Sequence, residues 1–139
     1  PGDLYGSLAP TLLVRGVAKA ISERRGRLVY VANLLNKPNQ TAGFGAEDYV
    51  AEVERFADCQ MDMVVQNTGD VDEGWLVGHA QPGEQIVRPA DNLPGVELIG
   101  LDMVDRDLEP DMTKSMVTKS FVRHDGSRVA GALLELAYA

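Results

Sequence analysis

The chain has 139 residues, 45% of them hydrophobic and 24% charged, with a formal net charge of −8. That size and balance suit one globular domain with its own core and exclude a disordered chain. The acidity argues against nucleic acid or an anionic membrane as the main partner, since both reward clustered Lys and Arg. Cys59 is the one cysteine, so no disulfide closes within the chain and a reducing compartment is expected. With no Cys or His cluster beside it in sequence, Cys59 reads as a packed thiol. No apolar run approaches the roughly 18 residues of a membrane span, and no signal peptide is visible. A start without Met suggests a piece of something longer.

Taken in chain order, Leu12, Leu13, Val17, Ala20 and Ile21 recur at helical spacing. They predict an amphipathic helix over about 9–24, with Ser7 as its N-cap and Gly26 as its stop. RLVYVAN, residues 27–33, reads as a buried parallel strand. A polar loop follows over 34–45, then a helix over AEDYVAEVERFADC with Tyr49, Val53 and Phe56 on one face. DMVVQNTG, residues 62–69, is a second buried strand ending in a turn. DEGWLVGHA suggests a short helix and QIVRP a short extended piece. VELIGLDMV, about 96–104, is a third strand. Residues 102–111, DMVDRDLEPD, hold five acids and one Arg and read as a solvated face, with no EF-hand spacing. SMVTKSFVRHD contains an extended segment. A closing helix follows, capped by Asp125, with Val129, Leu133 and Leu136 on its inner face. This alternation predicts an α/β fold with a mostly parallel sheet.

Ligands of open α/β sheets sit outside the carboxyl ends of the strands. Three polar clusters fall there: the opening loop Pro1–Ser7, the loop after Asn33, and the turn Asn67-Thr68-Gly69-Asp70. Their convergence would make a small-molecule crevice. Glycines in the opening loop let backbone N–H groups approach an anion, and a helix start adds a positive dipole end. The alternative is an ordinary strand-to-helix turn. Asn33 can donate and accept toward a base or sugar edge, or simply form a turn. Asp48 either stabilises its helix start or reaches a sugar hydroxyl, a metal or the opposite loop. Arg123 can pair with a phosphate or carboxylate. His124 and Asp125 have no serine or cysteine partner in view, so a hydrolase triad is a poor fit. His79 reads as structural, and Trp75 as packing on the sheet or covering a cleft.

Together and in order, four segments resemble the gluconeogenesis-factor (YvcK-type) proteins and the related 2-phospho-L-lactate transferases. They are PGDLYGSLAPTLLVRGV, VYVANLLNKPNQTAGFGAEDY, VVQNTGD and VRHDGSRVA. The likeness touches nearly the whole chain and is weakest over 71–116. It implies a three-layer, Rossmann-like sandwich, of which residues 1–139 form the C-terminal half. It also implies either the missing N-terminal half or a homo-oligomer as partner. The regulator branch implies a cytoplasmic protein that binds a UDP-sugar and is linked to carbon metabolism and cell shape. The transferase branch implies transfer of a phospholactyl-type group from a guanosine-diphosphate carrier to a deazaflavin alcohol, with a divalent metal such as Mg. Otherwise no cofactor is implied, and a diverged scaffold that binds nothing is the third reading. By position, the resemblance places Gly2, Tyr5 and Ser7 on the anion or sugar loop. It places Asn33, Thr41, Gly43, Phe44 and Asp48 on the neighbouring wall, Asn67 at the end of the crevice, and Arg123 against the ligand. Gly6, Ala42, Gly45 and Tyr49 stand where the family pattern carries Thr, Asp, Thr and His.

Overall fold

The computed structural model describes residues 2–108 and 120–138. The chain enters through a wide helical turn over Leu4–Leu8 that runs directly into α1, Ala9–Leu12. Helical winding thus starts at Asp3, whose carbonyl accepts from Ser7 and Leu8. Ser7 lies inside the turn and is not the expected cap. The wide turn suits Pro10, which brings no N–H to the ladder.

The single helix expected over 9–24 is two. Gly16 adopts the left-handed conformation (φ 91°) and separates α1 from α2, Val17–Ser22. The bend keeps Leu12, Val17 and Ile21 on the core, while Leu13, assigned to the inner stripe, is 66% exposed. The helix stops at Ser22, well before Gly26.

β1 (Val29–Val31), β3 (Met63–Asn67) and β5 (Glu97–Leu101) form a parallel sheet in the order β1-β3-β5. Val64 pairs with Tyr30 on one side and Leu98 on the other. All three strands fall within the apolar runs of the sequence. A two-stranded antiparallel pair, β2 (Leu35–Asn36) with β4 (Gln85–Ile86), stands apart.

α3 (Ala46–Ala57) buries Tyr49, Val50, Val53 and Ala57. Together with Leu4, Leu12, Tyr30 and Val64 they fill the core on one face of the sheet, where Cys59 also packs. On the other face Val65, Met103, Val104 and Val122 are covered by Val129, Leu133 and Leu136 of α5 (Gly126–Tyr138) and by Trp75 of α4 (Glu73–His79). Helix, sheet and helix make the three layers, because alternate residues of each strand point to opposite faces. Asp125 accepts from the N–H groups of Ser127 and Arg128 and caps α5. His79 stacks on Trp75.

Of the extended segment read over 115–125, residues 115–119 lie outside the described residues; His124 makes a bridge to Val104. Residues 109–111 of the acidic run and 109–116 of the weakly matching segment also lie outside them. No helix among the described residues is long and apolar enough to cross a membrane.

Candidate functional site

A cleft opens at the carboxyl end of β1. Its wall comes from the opening turn (Gly2, Asp3), the loop after β1 (Asn33 to Lys37) and the segment Ser120 to His124. An apolar extension, lined by Leu8, Tyr30 and Val31, shares Gly2, Asn33 and His124 with it. One end of the crevice is therefore polar and charged, and the other is greasy.

Asn33 closes the joint between the two loops. Its amide nitrogen donates to the Gly2 carbonyl at 3.2 Å, and its oxygen accepts from the Tyr30 hydroxyl at 2.8 Å. Burial pushes the Tyr30 phenol well above its ordinary pKa, so it serves as a neutral donor. Gly2 runs so close to Ser7 that a Cβ would collide with that side chain. This is how the glycine of the opening loop is used: for close backbone approach.

His124 Nε2 lies 3.0 Å from the Ala32 carbonyl. A carbonyl only accepts, so Nε2 carries the proton. Desolvation lowers the imidazole pKa, and the ring is neutral at pH 7. Arg123 is exposed and anchors one guanidinium nitrogen on the Val122 carbonyl at 2.9 Å. Lys37 reaches across to Glu84 at 2.5 Å, and its Nζ lies 3.9 Å from Asp3 Oδ1. Among the described residues, two cations, one carboxylate and one amide thus face a cleft beside a helix start, a set suited to a phosphate or carboxylate.

The predicted residues separate into groups. Gly2, Asn33 and Arg123 line the cleft, and Ser7 packs behind Gly2. Tyr5 turns the other way: its hydroxyl donates to Glu52 at 2.8 Å and its ring meets Phe56 edge-on. Thr41, Gly43, Phe44 and Asp48 build the loop that carries Lys37. The Thr41 hydroxyl accepts from the Lys37 N–H and lies 2.9 Å from the Tyr49 hydroxyl, which also sits 3.0 Å from Asn36 Oδ1. Phe44 packs edge-on against Tyr49 and accepts from the Asn36 amide. Gly43 turns with φ 78°, and Asp48 accepts from the Gly45 N–H at the start of α3.

Asn67 is spent internally, donating to the Gly69 carbonyl and accepting from the Met103 N–H, both at 2.9 Å. The turn after β3 stays out of the cleft. Arg106 draws it toward β5 by bonding the Asp70 carbonyl and Asp102. Two of the three polar clusters converge, and the third does not.

Asp3, Lys37, Ser120 and His124 also line the wall, although the sequence does not single them out for it. His124 stood in a conspicuous charged triplet. Lys37 gave no signal, because Glu84 lies 47 residues away. Among the described residues Asp3 is the one carboxylate lining the cleft, and they build no all-protein metal cage.

The fold and the cleft define a parallel α/β domain with an anion-suited crevice at its strand ends. The family model described as 2-phospho-L-lactate transferase CofD matches residues 1–108, and the chain belongs to that family. Bacillus subtilis gluconeogenesis factor is 26% identical over 140 residues, covering 98% of this chain and 41% of its own length. Listeria monocytogenes gluconeogenesis factor is 27% identical over 137 residues, covering 98% of this chain and 39% of its own. A crystal structure of a Bacillus halodurans protein superimposes with a TM-score of 0.79 at 24% identity, over 96% of this chain and 41% of that one. A second structure of the same protein describes it as a member of the UPF0052 family. The chain therefore spans about two fifths of the length of these relatives.

Proposed function

We propose that this chain supplies one wall of a nucleotide-sugar site in a regulatory protein of the gluconeogenesis-factor kind. The observation that carries the reading is the cleft itself. Lys37 and Arg123 face the start of the opening helix, and the greasy extension by Leu8, Tyr30 and Val31 adjoins them. A diphosphate suits the charged end and a base or sugar face the apolar one. The names of the similar Bacillus and Listeria proteins point to the same branch. On this reading the chain is the C-terminal half of a cytoplasmic protein. Its N-terminal half, or a second copy, completes the crevice.

Calorimetric titration of the complete protein with UDP-N-acetylglucosamine and with GDP, each with and without Mg, tests this. UDP-sugar binding that weakens about tenfold or more in Arg123→Ala supports the regulator, since a charge-assisted contact is worth that much. Absence of binding to any uridine or guanosine diphosphate ligand sinks it. The family match favours a second reading, the phospholactyl transferase. Metal-dependent GDP binding, together with product formation on a deazaflavin acceptor, would move the assignment there. With Asp3 the one cleft carboxylate among the described residues, a divalent metal would arrive on the ligand's phosphates.

A further inference from the structure

Resting on the reading of the cleft as a diphosphate site, we propose that Lys37 is its charge-selecting residue. Its ammonium takes a non-bridging phosphate oxygen, and Asp3 holds that place while no ligand is bound.

The ammonium is unusually well fixed for a lysine. The Glu84 side chain has no exposed surface, and its two oxygens accept from Lys37 Nζ and from the Gln81 N–H. The β2–β4 pairing sets Asn36 opposite Gln85, which brings together Lys37, just after β2, and Glu84, just before β4. Thr41 accepts from the Lys37 backbone N–H and fixes the start of the loop. A flexible four-carbon stem is thereby held in one place before any ligand arrives, which lowers the ordering cost of binding.

Lys37 keeps 30% of its side chain exposed and lines the cleft. An ammonium has three donors. Glu84 takes one, and Asp3 Oδ1 at 3.9 Å is too far for a hydrogen bond. Among the described residues no other acceptor engages it. Asp3 is half-exposed on the opening turn and offers Lys37 a loose Coulomb contact alone. A phosphate oxygen at hydrogen-bond distance outcompetes that contact, and the displaced carboxylate then repels the ligand. The cleft's preference for charge is in this way set by Lys37 and opposed by Asp3.

Calorimetry on the complete protein with UDP, inorganic pyrophosphate and uridine separates the possibilities. In the double variant Lys37→Gln/Glu84→Gln an amide pair replaces the ion pair, so no buried charge is left alone. UDP and pyrophosphate should bind about tenfold more weakly to it, with uridine affinity unchanged. Asp3→Asn, on the exposed turn, should tighten UDP about threefold or more. Equal UDP affinity in the double variant and the wild type overturns the assignment, as does weaker UDP binding in Asp3→Asn. A wild type that binds neither UDP nor pyrophosphate overturns the diphosphate reading itself, and this inference with it.

Discussion

At His124 the cleft and the stability of the fold meet in one side chain. The ring is neutral, donates through Nε2 to the Ala32 carbonyl, and has its pKa lowered chiefly by desolvation. The unfolded chain therefore takes up this proton at a higher pH than the folded one. Stability from this group is fully present above the ordinary value of 6.5 and falls as pH drops below it. Thermal unfolding followed from about pH 7.5 to 5 should show a declining Tm that is flatter in His124→Gln. Identical slopes would rule out a neutral His124 in the fold. The lowered pKa values of Glu47, Glu52, Asp62 and Asp102 act chiefly in more acid solution, and the comparison with His124→Gln isolates the histidine. Residue by residue, the site was half legible in the sequence. Gly2, Asn33 and Arg123 reveal themselves as a glycine, an amide and a cation next to predicted element ends. Lys37 does not, because its meaning comes from a buried Glu84 that no local pattern links to it. Thr41 and Asn67 look like ligand contacts in the sequence, yet their polar atoms are used to hold loops.

Among the elements, β3 decides the geometry. It is the middle strand, buried throughout, and Asn67 at its end fastens β5 by accepting from Met103. Asn67→Ala removes both bonds and strands a buried N–H and a carbonyl. The expected loss is about 1–3 kcal/mol in urea unfolding, the cost of unpaired buried polar groups. A loss within error would mean that water or a shifted turn replaces the amide. β1, β3 and β5 were plain in the sequence as short apolar runs bounded by polar or turn residues, and α3 by its helical period. The break between α1 and α2 was hidden, since the apolar stripe runs across Gly16 unbroken. β2 and β4 were missed as a pair because two-residue strands carry no period. That pair, though, is what joins Lys37 to Glu84.

For the whole molecule, one sheet serves two cores. Tyr30, Val64 and Leu98 face α1–α3, while Val31, Val65 and Ile99 face α5. Neither core is closed without β3, so opening either layer exposes the strand that the other also needs. The peripheral helices are different: α2, α4 and α5 hold no fully buried residue among them. Opening free energy should therefore rise from these helices toward the central strand. Native-state hydrogen exchange on the complete protein should find the slowest amides in β3, at Val64, Val65 and Gln66. The amides of α2 and α4 should exchange through local opening, with no dependence on denaturant at low concentration. If ligand occupies the cleft as proposed, added UDP-sugar should slow exchange at Asn33–Lys37 and leave the turn at Thr68–Asp70 unaffected. That turn is tied to Asp102 and Arg106, away from the cleft wall. Protection appearing at Thr68–Asp70 instead would move the ligand to the third loop and away from Lys37. Equal opening free energies in β3 and the outer helices would mean that these helices open only when the whole domain unfolds, and would overturn the gradient.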